Sequence, residues 1–539
     1  MSSFVRPLAV RAACPSLADN SGDLDRLIRA VREVLGDDRP VEAPLARVSI
    51  LCRCFRGAGF QGTALVSDLG DRWLLTDFLA ERPKTLMGVA LDLGTTQLEA
   101  TLVNMIDGQI LARANRINDQ IEYGSDILSR IHFATASRRL QKSLEPAFID
   151  PGLVTLQEVI RDCLNNLLAE LAAQADVEPG AIRALAVAGN TTMIHFLLGL
   201  DPYHLCREPY IPMLNQPGIL RAEELRLALH PAAPVWIMPS IGSYFGGDLI
   251  SGILASGLTD GDEPRMLIDV GTNAEVVVGN REWLIACAGA AGPALEGGVA
   301  RMGMRAGPGA IDRVNIDPLR FELSYSTIGN VPARGICGSG LIDLVAALYL
   351  SRIIDIQGRL RDPVLESDPD RLAFMGDRVI ESGSGRAFVV VPAAEASGDE
   401  PVLLEQLDLD ALMRSKAAMY AILTTLLGQV GLEFSDLREI CVAGAFGGHI
   451  DPQRAVTLGM LPDLDLSVYR GIGNSSLQGA ERVLCEGAAR RACAEIVARI
   501  TYVELNVNQE FMIRFSGSRF IPHTDPSLFP SVPFYNENS

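Results

Sequence analysis

Charge is scarce in this chain and lopsided where it occurs. Only 21% of the 539 residues are Asp, Glu, Lys or Arg, and 66 acidic side chains against 47 basic ones leave a formal charge of -19. A nucleic-acid partner is therefore not expected, because phosphate backbones need a concentrated basic face. Long apolar runs are absent too: no stretch reaches the roughly eighteen residues a membrane-spanning helix requires. The opening MSSFVRPLAVRAACPSLADN has no sustained apolar stretch ahead of a cleavage-like site. These readings predict a cytoplasmic chain with no membrane contact. There is no low-complexity tract. The ten cysteines stand singly, with neither C-x₂-C-x₂-C nor C-x₄-C-x₂-C spacing, so reduced thiols are expected rather than a disulfide framework or an iron–sulfur cluster. Cys52 and Cys54, one residue apart, do not by themselves make a four-ligand site.

What is plentiful is apolar residues, 48%, and glycine, 50 residues, a combination suited to buried α/β layers joined by tight turns. At this length two or three domains are expected. Residues 1–84 read as a small α+β module of linker or middle type, with a helix over Leu24–Leu35 and strand-like runs at Arg47–Cys52 and Gly62–Val66. From Leu86 the pattern changes to a nearly unbroken apolar strand ending in Asp92-Leu-Gly-Thr-Thr96. A long amphipathic helix over Leu153–Leu171 leads to a second buried strand, Ala184–Asn190. The strand, aspartate and Gly-Thr turn then return as Met266-Leu-Ile-Asp-Val-Gly-Thr-Asn273, which implies an internal duplication. Further on come a glycine-rich stretch over Ala286–Gly309, a helix over Leu409–Leu427 and a strand-turn, Ile440–Gly448. Residues 470–480 read as a loop opening a last helix. The resulting domain expectation is 1–84, a first lobe over 85–260 and a second over 261–539.

A strand that ends in Asp-x-Gly-Thr has a defined chemistry. Glycine permits a turn whose N–H groups approach a phosphate, threonine adds a hydroxyl, and the aspartate can hold water on Mg²⁺. Two copies can clamp a phosphate chain from both sides, and the glycines of Val442–Gly448 leave a backbone surface for a nucleoside.

This ordered triple resembles the two phosphate motifs and the adenosine motif of the actin-like ATPase superfamily, which includes acetate and sugar kinases and heat-shock proteins. The resemblance covers roughly residues 86–490. It implies duplicated ribonuclease-H-like lobes, an α/β fold, with ATP and Mg²⁺ in the cleft between them. The connecting runs Asn118–Arg130, Gly189–Met193, Gly199–Pro202, Ala291–Gly297, Gly303–Ile311 and Arg334–Asp343 are similar to those of the reductive activators of corrinoid-dependent methyltransferases. That family uses ATP to drive reduction of Co(II) corrinoid on a partner protein to Co(I).

The resemblance implies that Asp92 and Asp269 organise Mg²⁺ through water. Gly94, Thr95, Thr96, Gly271, Thr272 and Asn273 would line the phosphates, and Gly444, Ala445, Gly447 and Gly448 would face the nucleoside. Asp248 is the candidate catalytic base, with capping of the helix Leu249–Leu258 as the alternative. Asn190 and Thr191 reach the γ-phosphate side or cap the next helix. His195 and His449 are expected to be structural, Met302 and Met304 to fill core gaps, and Lys416 to approach the nucleotide or be solvated. The implied partners are a corrinoid protein and a second copy of the chain. With no cluster cysteines, electrons are expected from a separate low-potential donor. A small-molecule kinase and a non-catalytic, nucleotide-gated chaperone of corrinoid proteins are the alternatives.

Overall fold

The computed structural model describes residues 3–139, 148–271, 274–289, 300–383, 385–398, 400–505 and 508–535. The chain divides into two compact units, Met1–Ala255 with Ser475–Ala498, and Ser256–Asn474 with Arg499–Ser539.

The first unit opens with a small sheet, β1 (Val5–Arg11), β2 (Val41–Glu42), β3 (Gln61–Asp68) and β4 (Trp73–Leu79), in the order β1-β3-β4-β2. Helices α1 (Asp23–Leu35) and α2 (Leu45–Gly57) cover it. Residues Arg47–Cys52 are thus helical, not a strand. Leu51 and Phe55, four apart, are the positions α2 buries, and helical periodicity outweighs the local β-branched bias. The module is knitted to the rest of its unit by Asp77, which receives Arg47 at 3.2 Å and Arg183 at 2.8 Å.

The main sheet of this unit contains β5 (Met87–Leu93), β6 (Gln97–Asn104), β7 (Ile110–Ile117), β8 (Ala184–Gly189), β9 (Ile219–Arg221) and β10 (Pro234–Ile237), ordered β7-β6-β5-β8-β10-β9. Around it lie α3 (Ile127–Ala134), α4 (Pro151–Gln174), α5 (Thr191–Leu198) and α6 (Gly247–Ser256). The α4 stripe Leu156, Ile160, Cys163, Leu164, Leu167, Leu168 and Leu171 is buried as its spacing predicts. Each such leucine contributes about 1.5–3 kcal/mol of burial.

The second unit repeats this plan with β11 (Arg265–Val270), β12 (Ala274–Gly279) and β13 (Leu284–Gly289). An insertion follows: β14 (Ala310–Ile316), β15 (Leu323–Thr327), β16 (Gly335–Ile336), α7 (Gly338–Leu350), α8 (Pro369–Arg378), β17 (Val379–Ser382), β18 (Gly385–Val391) and β19 (Val402–Glu405). Then come α9 (Gln406–Gln429), β20 (Glu439–Ala443), α10 (Gly444–Gly447), α11 (Pro452–Leu458) and β21 (Tyr469–Gly473). Helices α12 (Ser475–Cys485) and α13 (Gly487–Arg499) precede β22 (Ile500–Tyr502) and α14 (Gln509–Gly517). Residues 470–480 therefore hold the end of a strand and the start of a helix, and two further helices follow. Helix α12 belongs to the first unit, where it packs on β5, β6 and β8.

The second sheet runs β21-β20-β11-β12-β13-β22. In both sheets an Asp-ending strand pairs antiparallel with the next strand, which pairs antiparallel with the third, while parallel partners stack on the other side. The duplication inferred from Asp92 and Asp269 is a duplication of sheet topology, and the α/β actin-like fold with a small N-terminal α+β domain is what the chain adopts.

Candidate nucleotide site

In the first unit the site grows from the carboxyl ends of β5 and β8. Their parallel register sets Asp92 beside Ala188 and Leu93 beside Gly189. Beyond Leu93 the chain turns sharply through Gly94–Thr96. A Cβ on Gly94 would lie 2.2 Å from the Gln97 carbonyl oxygen, so the turn requires glycine. Asp92 accepts a 2.8 Å hydrogen bond from Ser476 Oγ, at the start of α12.

Asn190 caps α5, its Oδ1 accepting from Met193 N at 2.9 Å, and its Nδ2 donates to Thr95 Oγ1 at 3.0 Å. Of the two roles the sequence offers Asn190, the cap is the one made by Oδ1, while the other end of the same amide holds the Gly94–Thr96 turn. Thr191 Oγ1 donates to the Gly242 carbonyl at 2.9 Å and fastens the loop ahead of α6. In the first turn of α6, Asp248 Oδ1 accepts from Leu249 N at 2.9 Å. Gly246 separates this carboxylate from α5: a Cβ there would be 2.5 Å from Asp248 Oδ1 and 2.4 Å from Asn190 Cα. Burial raises the Asp248 carboxyl to about 6, opposed by backbone hydrogen bonds. Asp92, Thr95, Asn190 and Asp248 thus gather at one end of the first sheet.

In the second unit Asp269 is paired with Glu275 on β12 and Ala443 on β20. Gly444 follows with φ +85°, and a Cβ on it would meet Val270 O at 2.6 Å and Asp269 Oδ1 at 3.0 Å. The adenosine-type motif therefore closes directly over the aspartate. Instead of a flat loop, β20 runs into the single helical turn α10, which holds Gly444, Ala445 and Gly447. A Cβ on Gly447 would lie 2.5 Å from Val442 O, and Gly448 is exposed beside Gly473. Gly271 is partly exposed at the end of β11, whereas Thr272, Asn273 and the run Ala291–Gly297 lie outside the described residues.

Among the described residues no group of three or more His, Cys, Asp or Glu can hold a metal. Mg²⁺ needs no such cage; it commonly takes one or two carboxylates, waters and phosphate oxygens. In each unit the carboxylate near the end of the first central strand, Asp92 in one and Asp269 in the other, is of the type that donor set uses.

Three other conspicuous side chains, His195, Met302 and Lys416, are structural. His195 donates from Nδ1 to Thr191 O at 2.7 Å and accepts from Met213 N at 3.2 Å, and burial lowers its pKa. Met302 packs against the core of the second unit, and His449 is exposed. Lys416 is not solvated: it is fully buried, its Nζ donating to the carbonyls of Phe520 and Pro522 at 2.6 and 2.7 Å. Sequence reading missed Ser476, more than 380 positions from the aspartate it binds. It also assigned no role to Asn118 and Arg130, the ends of a run picked out only by resemblance.

Five strands in matching order in the two sheets, each with an aspartate near the end of its first strand and a glycine two residues on, are the arrangement of an actin-like ATPase-type protein. The chain belongs to the RACo family: residues 263–533 match the family described as "C-terminal domain of RACo the ASKHA domain", and residues 87–261 match "RACo middle region". It is 31% identical over 441 residues to the corrinoid activation enzyme RamQ of Eubacterium limosum, covering 81% of this chain and 71% of that one. It is 22% identical over 451 residues to the [Co(II) methylated amine-specific corrinoid protein] reductase of Methanosarcina barkeri, with 77% and 73% covered. The solved reductive activator for corrinoid,iron-sulfur protein superposes with a TM-score of 0.85 at 34% identity, covering 98% of this chain and 81% of that one.

Proposed function

We propose that this protein is an ATP-hydrolysing reductive activator of a corrinoid protein, returning Co(II) to Co(I) with one electron from a separate low-potential donor. The observation that carries this reading is the repeated Asp-Gly strand end on two sheets of matching topology, in a chain whose relatives are named for corrinoid activation. Co(II)/Co(I) reduction is uphill for ordinary donors. A protein whose nucleotide states bind the corrinoid partner differently can couple hydrolysis to it, by an amount no larger than that difference.

In this reading Gly94, Thr95 and Thr96, with Gly271, Thr272 and Asn273, cradle the phosphates, while Gly444, Ala445, Gly447 and Gly448 receive the nucleoside. Asp92 and Asp269 would hold Mg²⁺ through water, and bound there it would supply charge neutralisation for the phosphates. Asp248, with its carboxyl at about 6, is mostly ionised at neutral pH yet basic enough to accept a proton from attacking water. Asn190 orients Thr95. The electron enters the cobalt and not the phosphates, so hydrolysis and reduction are linked only through conformation.

The test is anaerobic spectroscopy of a corrinoid protein mixed with this chain, a low-potential reductant and ATP. Loss of the Co(II) band only when ATP is present supports the proposal. Loss at the same rate without ATP overturns it.

A further inference from the structure

The Gly94–Thr96 turn is held from behind in an unusual way. All three of its carbonyl oxygens are occupied: Gly94 O accepts from Asn118 Nδ2 at 3.1 Å, Thr95 O from Arg130 Nη1 at 2.7 Å, and Thr96 O from Asn118 N at 2.9 Å. The amide N–H groups of Thr95 and Thr96, by contrast, donate to nothing among the described residues. Both threonines are partly exposed, whereas Asn118 and Arg130 are completely buried. A peptide unit directs its C=O and N–H in opposite senses. Fixing the carbonyls inward therefore presents the free N–H groups outward, the disposition that receives an anion.

Arg130 is a costly residue to place there. Its guanidinium is removed from water, and among the described residues no carboxylate lies within hydrogen-bonding distance. Its Nε donates to Gly124 O at 2.9 Å, and Nη2 has no hydrogen-bond partner among the described residues. A buried, unpaired charge is among the more expensive features a fold can carry. Burial lowers its pKa only to about 10, so it stays positive at neutral pH. A neutral donor could satisfy the Thr95 carbonyl; a cation behind the turn additionally raises the potential on its outer side, through a medium that screens poorly.

We infer that Arg130 and Asn118 form a positioning pair for phosphate binding: Asn118 sets the geometry of the turn, and Arg130 both anchors the Thr95 peptide and supplies positive charge behind it. Neither touches the ligand. The inference rests on the nucleotide reading of the turn, and it names the part of the chain that makes the first unit's turn anion-selective.

The experiment uses the full chain and Mg-ADP as probe, with calorimetry on wild type, Arg130→Lys and Arg130→Gln. Hydrogen exchange of the nucleotide-free proteins, read over residues 94–97 and separately over β5 and β8, runs alongside. Arg130→Gln is expected to weaken Mg-ADP about tenfold and to speed exchange in the turn while β5 and β8 stay protected. Arg130→Lys keeps the charge but loses the two-armed anchor, and is expected to recover roughly half of that loss on a logarithmic scale. Wild-type affinity in Arg130→Gln overturns the inference, as does a loss of affinity accompanied by loss of protection throughout β5 and β8, which marks a merely structural arginine. Wild type failing to bind Mg-ADP sinks the nucleotide reading itself, whatever the turn's exchange shows.

Discussion

The ends of β8 and β20 are equivalent places in the two units, and they are built from nearly the same letters, Val187-Ala-Gly-Asn190 and Val442-Ala-Gly-Ala445. Ala188 stands beside Asp92 and Ala443 beside Asp269 in the same parallel register. The fourth residue differs. In the first unit Asn190 caps a helix of eight residues and reaches across to Thr95. In the second an alanine follows Gly444 into a helical turn of four residues, and the glycine presses on the aspartate. One duplicated scaffold has thus diverged into a polar end, which the proposed function gives to phosphate, and a side-chain-poor end, which it gives to a nucleoside. The topology is shared; the chemistry is set by single residues at the strand ends.

Breaking both ends should have the largest effect. Asp92→Ala and Asp269→Ala are each expected to lower ATP hydrolysis by about a thousandfold, measured as phosphate release, since each removes a proposed metal-organising carboxylate. A large loss in one and none in the other would mean that only one unit organises the metal. Asp248→Asn comes next, with a loss of about a hundredfold expected for removal of a general base. It also has a stability signature of definite sign. The native pKa of about 6 lies above the ordinary carboxylate value of 3.8, so the stabilising contribution is complete below the unfolded value and is lost as pH rises through about 6. Asp248→Asn should therefore be more stable than wild type at pH 7.5, by roughly 2–3 kcal/mol, and show no advantage at pH 4. Denaturant unfolding at the two pH values reads this directly. Asn190→Ala sharpens the comparison by making the first end resemble the second. Its expected cost is about tenfold in hydrolysis, with about 1 kcal/mol of stability from the lost cap. Unchanged hydrolysis would leave the Thr95 contact without a role.

Much of this was readable in the sequence, for identifiable reasons. The strand ends at Asp92 and Asp269 are local: apolar run, aspartate and glycine turn lie within a dozen residues, and their repetition discloses the duplicated sheets. Helix α4 was legible from its leucine stripe. Arg47–Cys52 misled because a short apolar run suits either strand or helix, and only the burial of Leu51 and Phe55 against the small sheet decides between them. Ser476 and Arg130 could not be read as partners of the turn, since their meaning comes from contacts made far along the chain. Asp248 presented a residue type and a position, but its raised pKa comes from burial, which only the folded packing supplies.

The smallest effect on activity is expected at Lys416, which lies in the second unit and whose hydrogen bonds among the described residues go to the C-terminal segment and not to the glycine surface described above. Its amino group is fully buried in α9 and ties down the carbonyls of Phe520 and Pro522 in the C-terminal segment. Desolvation lowers its pKa well below the ordinary lysine value. The unfolded chain therefore holds a proton on this residue over a window below the ordinary lysine value in which the native chain does not, and in that window stability rises with pH. Lys416→Met removes both the window and the tether. Relative to the variant, wild type should gain stability as pH rises from its native Lys416 value toward about 10.4, followed by thermal melts. Trypsin should cut after Arg519 faster in the variant, because Phe520 loses its anchor. Phosphate release should stay within about twofold of wild type, since no proposed phosphate or nucleoside contact is altered. A severe loss of hydrolysis with the C-terminal segment still protected would place Lys416 in the nucleotide machinery and remove the distinction between a catalytic strand end and a structural helix in this unit.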